Sequence, residues 1–129
     1  MTDRPGPPVR FTPPTTPALV VRREALERNL AAMQSACDAA GVRLRAHGKM
    51  HKCTTLGLRQ LALGAAGLCC QTVGEAQAYA AAGAGDLLVT SPPAPWGAGK
   101  IAAIAAAGTR ISVVADDAGQ VERLGAAAR

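Results

Sequence analysis

The stretch Arg45-Ala-His-Gly-Lys-Met-His-Lys-Cys53 sets a lysine between two histidines, His47 and His51. The chain holds only three lysines, Lys49, Lys52 and Lys100, against eleven arginines. Amine chemistry therefore has few candidates, and Lys49 is the one flanked by imidazoles. A neutral lysine amine can capture a carbonyl as a Schiff base. On an extended strand, residues two apart share a face. That rule sets Arg43, Arg45, His47 and Lys49 on one side and Val42, Leu44, Ala46 and Gly48 on the other. The apolar side is expected to pack on helices. The polar side is expected to line an interior, with Lys49 uppermost at its rim. Neighbouring cations would disfavour the charged form of Lys49, and Gly48 is expected to leave space for a flat ring. A basic strand end facing water is the competing reading of the same residues.

Such a lysine needs a frame. Residues 1–15 read as a Pro-rich arm, since six of the nine prolines fall within residues 1–17 and proline lacks the N–H that regular ladders use. Residues 16–129 read as one domain. Residues 17–21 are a short strand candidate. Leu26, Leu30, Met33 and Cys37 recur at helical spacing, which predicts a helix over 23–40 stopped at Gly41. A strand–helix unit then recurs, with strands predicted over 42–48, 67–73, 86–91 and 110–115. The first intervening helix is expected to be capped by Thr54 or Thr55 and to end near Gly64. The second opens with Thr72-Val-Gly-Glu75, a capping-box pattern, and ends at Gly83. The third spans 100–107 after a Pro/Gly loop. The last is capped at Asp117 and carries Val121 and Leu124.

Runs such as Leu87-Leu-Val89 and Ile111-Ser-Val-Val114 have few polar breaks. They suit parallel strands covered by helices. Alternating elements mean α/β. The regular single-direction repeat predicts the N-terminal half of a (β/α)8 TIM-type barrel, a fold in which chemistry sits at the C-terminal ends of the strands. A small flavodoxin-like open sheet is the alternative. It is weakened because no glycine-rich phosphate fingerprint follows the first strand.

Composition narrows the partners. Cys37, Cys53, Cys69 and Cys70 have no C-x-x-C spacing, so neither a zinc site nor a disulfide framework is expected. They read as small buried hydrophobes. The net charge of +5 comes mainly from scattered arginines, and aromatics number three. A nucleic-acid partner would need gathered cations and stacking rings, so none is expected. The local excess over residues 43–52 points instead to an anionic small molecule. No apolar run is long enough for a membrane span, and the start lacks the apolar core of a signal peptide. No membrane partner and a cytoplasmic location are the expectations.

Several of these segments carry a resemblance. Thr16-Pro-Ala-Leu-Val-Val21, Ala25-Leu-Glu-Arg-Asn-Leu30 and Leu44-Arg-Ala-His-Gly-Lys-Met-His-Lys52 resemble the N-terminal part of the fold-type III pyridoxal-phosphate enzymes. This group includes alanine racemase, D-serine dehydratase and D-threonine aldolase. The aldolase and dehydratase branch is the most similar. Arg59-Gln-Leu-Ala-Leu-Gly64, Gly67-Leu-Cys-Cys-Gln71, Glu75-Ala76 and Ile111-Ser-Val-Val-Ala-Asp116 extend the resemblance over residues 15–125.

The resemblance implies that Lys49 holds pyridoxal 5'-phosphate as a Schiff base, that Gln71 lines the cofactor pocket, and that His47 and His51 orient and tune Lys49. Lys52 is expected to act electrostatically near the site or to face water. Thr90-Ser-Pro-Pro93 departs from the family pattern and is expected to cost hydrogen-bonding side chains at the third strand end. The implied activity is that of a D-threonine aldolase-like lyase cleaving D-3-hydroxy amino acids to glycine and an aldehyde. A dehydratase or racemase of the same fold, or a non-catalytic pyridoxal-phosphate binder, is the alternative. Relatives use a divalent cation, with ligands expected beyond Arg129, as are the phosphate-binding loops. The chain is thus expected to be an N-terminal fragment inactive alone, with a homodimer among the assemblies implied for a full-length form.

Overall fold

The computed structural model describes residues 15–129, so the Pro-rich arm lies, but for Thr15, outside the described residues. The elements run α1 (Arg23–Ala39), β1 (Arg45–His47), α2 (Thr54–Ala62), β2 (Gly67–Cys70), α3 (Val73–Ala81), β3 (Asp86–Val89), α4 (Ala98–Ala106), β4 (Arg110–Val113) and α5 (Ala118–Ala127). A short 3-10 turn, Pro95–Gly97, leads into α4.

Local chemistry explains most boundaries. Thr72 Oγ1 accepts from Glu75 N at 3.2 Å, and the Glu75 carboxylate accepts from Gln71 N at 2.8 Å. Helix α5 repeats the device: Asp117 Oδ1 accepts from Gln120 N at 2.8 Å, and Gln120 Oε1 accepts from Asp116 N at 3.3 Å. In each case the side chains satisfy amides that the first turn leaves free. Helix α2 ends at Gly64 and α3 at Gly83, with φ of 119° and 100°, a region glycine enters without strain.

The strands form one parallel sheet in the order β1-β2-β3-β4. Register pairs Ala46 with Leu68, Leu68 with Leu87 and Leu87 with Ile111. These residues, with Cys70 and Val89, face a helical layer carrying Leu58, Leu61, Ala76, Tyr79 and Ile104. Tyr79, Leu68, Leu87, Val89 and Cys70 are fully enclosed, and each large apolar side chain contributes about 1.5–3 kcal/mol. The opposite face carries Arg45, His47, Cys69, Asp86, Leu88, Arg110 and Ser112, all half-buried or exposed. Sequential order with the helices on one face is the winding of a barrel. A doubly wound sheet would put helices on both. The expected half barrel is therefore observed.

Four expectations need correction. Residues 17–21 form no strand, because no neighbouring chain pairs with them among the described residues; Leu19, Val20 and Val21 are exposed. All four sheet strands are shorter than the expected 42–48, 67–73, 86–91 and 110–115, with Val42 and Arg43 exposed in the approach to the first. Helix α2 has Cys53 at its N-cap and no side-chain cap, since the turn before it brings the chain in with Thr54 already helical. On α1 the buried residue is Gln34, while Met33 is 54% exposed. Here α1 meets α2 rather than the sheet, through Arg59–Glu27 at 2.8 Å and Gln34 beneath Gly64. No helix among the described residues is long and apolar enough to cross a membrane.

Candidate active site

Lys49 lies in the turn that follows β1, two residues past the end of the strand at His47, and is exposed. The ladder runs right up to it: Gly48 N donates to Cys69 O at 2.8 Å. The turn closes with Lys52 N donating to Gly48 O at 2.8 Å, and Lys52 takes a positive φ of 47°. The amine is thus carried on a short, hydrogen-bonded turn at the C-terminal end of the sheet.

Two residues fix the turn from opposite sides. On the open face, Lys49 N donates to His47 Nδ1 at 3.3 Å. The other ring nitrogen, Nε2, lies 3.3 Å from Thr90 Oγ1, and the Thr90 hydroxyl donates to Cys70 O at 3.0 Å. On the helical side, Tyr79 Oη donates to Gly48 O at 3.3 Å. A Cβ on Gly48 would stand 2.3 Å from that hydroxyl oxygen, and one on Gly57 would stand 2.6 Å from the same ring. The space expected beside Gly48 for a flat ring is therefore filled by Tyr79, because the missing Cβ points into the helical layer.

The other predicted residues divide. His47 and Lys49 meet through the imidazole and the Lys49 backbone amide. Gln71 follows Gly67 and Cys69 on the open face by alternation, at the exposed end of β2, and no hydrogen bond joins it to Lys49 or His47. His51 makes no hydrogen bond to Lys49: its Nδ1 accepts from Cys53 N at 3.1 Å, at the start of α2. Its Nε2 is buried with no partner among the described residues.

The cation cluster is also thinner than its sequence implies. Arg45 is tied to Asp86 at 2.8 Å, and Arg110 meets the other oxygen of that carboxylate. Lys52 lies 3.5 Å from Glu75. Of the like charges expected to crowd Lys49, Arg45 and Lys52 are thus paired with carboxylates, while Arg43 is exposed and makes no ion pair among the described residues. The hydrogen bond from Arg45, opposed by burial and helped by Arg110, holds Asp86 below its ordinary pKa. Burial works against the charged Glu75, but the amides of Gln71 and Thr72 and the Lys52 ammonium outweigh it and lower its pKa.

Cys69 and Cys70 project to opposite faces, as alternation requires. Burial pushes the Cys70 thiol up to about 12, and it raises Cys69 by more than nearby Arg45 lowers it. Neither is the low-pKa thiol that nucleophilic chemistry needs. Cys37, Cys53 and Cys69 are only half-buried, so the reading of all four as buried hydrophobes holds for Cys70 alone. Among the described residues no three His, Cys, Asp or Glu side chains gather as metal ligands.

A hollow of about 150 Å³ opens at the ends of β2 and β3, lined by Gln71, Val73, Ser91, Pro93 and Trp96. A roomier one, about 470 Å³, lies on the helical side between α4, β4 and α5, away from Lys49. The first lies at the same C-terminal end of the sheet as Lys49, but none of its lining residues belongs to the lysine turn. Thr90 and Tyr79 were missed as site residues. Alternation from Asp86 and Leu88 sets Thr90 on the open face, a signal that was available, whereas nothing local marks Tyr79.

The sequence and fold have counterparts among known proteins. The chain matches 3-hydroxy-D-aspartate aldolase of Paracoccus denitrificans at 40% identity over 116 residues, which is 88% of this chain and 30% of that one. D-threonine aldolase from Filomicrobium marinum superposes with a TM-score of 0.81 at 38% identity, over 87% of this chain and 30% of that one. D-threo-3-hydroxyaspartate dehydratase from Delftia sp. HT23 gives 0.78 at 33% identity, over 86% and 29%. The chain thus spans about 30% of the length of these relatives. The model for the alanine racemase N-terminal domain covers residues 21–129, and it is to this family that the chain belongs.

Proposed function

We propose that this chain supplies the lysine-bearing part of a pyridoxal-phosphate site in a lyase of the D-threonine aldolase type. The substrates would be D-3-hydroxy amino acids, cleaved to glycine and an aldehyde. The observation that carries this reading is the setting of Lys49, a primary amine on a braced turn at the C-terminal end of a barrel strand. Both aldolases and a dehydratase stand among the similar proteins, so loss of the substrate hydroxyl is the second reading. The choice between them rests on groups that touch the hydroxyl, and none of the residues described here is assigned to it.

The donor set fits the aldehyde end of the cofactor. Lys49 is an exposed amine at the rim, with an imidazole under its backbone and polar Gln71 on the neighbouring strand end, while the exposed Lys52 of the same turn is paired with Glu75. When bound, the cofactor supplies an electron sink for the bond that breaks. Lys49 would bind it through its carbonyl carbon. His47 and Gly48 would orient that lysine, each fixed by a partner from a different layer. Gln71 would line the pocket beside the ring. The α3 N-terminus does not fit the phosphate, because the Glu75 carboxylate already accepts from Gln71 N there. A divalent cation finds no three convergent ligands among the described residues.

Incubation with pyridoxal phosphate tests the reading. A new absorption band near the visible edge is expected, and borohydride reduction followed by peptide mass mapping should find the label on Lys49. Lys49→Ala should abolish both. A label confined to Lys52 or Lys100, or no label, would refute the assignment. Release of glycine from D-threonine would then distinguish an enzyme from a binder.

A further inference from the structure

We propose that Thr90 is a positioning residue for Lys49, acting through His47 by fixing which ring nitrogen carries the proton. The proposal rests on the reading of Lys49 as the carbonyl-binding amine, but its first test does not.

A backbone N–H can only donate, so Lys49 N, 3.3 Å from His47 Nδ1, requires that nitrogen to be an acceptor. The ring proton of the neutral imidazole therefore belongs on Nε2. That nitrogen faces Thr90 Oγ1 at 3.3 Å. The Thr90 hydroxyl has one proton, and it is directed to Cys70 O at 3.0 Å. Its oxygen lone pairs are thus left for the imidazole. Every proton along the path has one consistent direction: Lys49 N–H to His47, His47 Nε2–H to Thr90, and Thr90 O–H to the backbone of β2.

The path also crosses the sheet. His47 is in register with Cys69 on β2, and Thr90 follows β3, so the contact passes over Cys69 and links the ends of the first and third strands. Thr90 itself is anchored twice to β2, since Thr90 N also donates to Cys70 O at 2.8 Å. A hydroxyl on a doubly anchored backbone is a stiff reference point. Without it, the Nε2–H form of His47 loses its partner and the alternative tautomer becomes competitive. In that alternative Nδ1 carries the proton and opposes Lys49 N–H donor to donor, and the turn loses its brace on the open face. The sequence position expected to be a loss of polar function thus supplies a hydrogen bond to His47.

The test reads the ring directly. Long-range nitrogen–proton correlation on the histidine-labelled chain, without any cofactor, should show His47 with a protonated Nε2 and an unprotonated Nδ1. In Thr90→Val, which keeps the shape and removes the hydroxyl, this single-tautomer pattern should be lost. Thr90→Ser should restore it. A wild-type His47 that carries its proton on Nδ1 or populates both tautomers equally overturns the proposal without recourse to any variant. So does a Thr90→Val spectrum unchanged from wild type. A second readout follows pyridoxal-phosphate labelling of Lys49, expected to slow about fivefold in Thr90→Val, the worth of one neutral hydrogen bond, and to recover in Thr90→Ser. Equal labelling rates in all three proteins count against a positioning role. Absence of label in the wild type refutes the cofactor reading instead, and the tautomer measurement still decides the role of Thr90.

Discussion

At the scale of single residues, the site depends on what fills the space beside the lysine. Gly48 has no side chain, and the buried ring of Tyr79 takes its place. A methyl group there would meet the hydroxyl oxygen at 2.3 Å and the ring carbon Cζ at 2.7 Å. The ring is 2% exposed and has nowhere to swing. Gly48→Ala should therefore destabilise the chain by about 1–3 kcal/mol, the usual cost of overpacking. Denaturant midpoints check this. Adding Tyr79→Phe removes the nearest atom, so the double variant should lose less than the two singles added together, as contacting residues do. Strict additivity would mean that the two do not meet. Much of this was legible: alternation gave the facing of Ala46, His47 and Gly48 and the divergence of Cys69 from Cys70. The identity of the ring under Gly48 was not, because Tyr79 comes 31 residues later and no local pattern ties the two together.

Among the elements, one carboxylate joins three of the four strands. Asp86 opens β3, takes Arg45 from β1 across the top of Gly67, and takes Arg110 from β4. Gly67 makes the crossing feasible, since a Cβ there would stand 2.3 Å from the Arg45 guanidinium. Asp86 has a folded pKa below its ordinary value, through Arg45 first, against burial, and then Arg110. A depressed carboxylate pKa adds stability that is complete above the unfolded value and is lost as pH falls through the folded one. Asp86→Asn should then cost about 1–2 kcal/mol near neutrality, allowing for the solvent screening of a half-exposed network. The difference from wild type should shrink as pH drops below the ordinary carboxylate range. Urea titrations at neutral and acid pH check both limits; a gap that persists in acid would show that the charge is not its source. Caps were the most legible part of the elements, because Thr72 with Glu75 and Asp117 with Gln120 act within one turn. The strand expected over 17–21 failed for the opposite reason: β-branched apolar residues make a strand only when another chain lies alongside.

Across the whole molecule, the sheet is closed on neither side among the described residues. β1 and β4 each have one neighbour, and an unpaired strand edge is a template for association. The β4 side is the more apolar. Helix α5 rests on α4 and has no buried residue. Between it and β4 lies the larger hollow, lined by Ile101, Ile111, Val113, Val121 and Leu124. That the sheet order, the parallel sense and the one-sided helical layer were all legible follows from repetition: each strand–helix unit says the same thing, so one weak signal is read four times over. The fate of the free edges is a question the repeat cannot answer, because a unit specifies its neighbours and not the closure. The exposed apolar edge has a measurable consequence. In sedimentation experiments the weight-average mass of the chain should rise with concentration. Val121→Glu should suppress that rise, since Val121 is 59% exposed at the lip of the hollow. Folding should be little affected, because a surface substitution costs within about 0.5 kcal/mol. A monomer at every concentration would mean that the β4 edge is already guarded, and the polar residues of that strand, Arg110 and Ser112, would be the ones to test next.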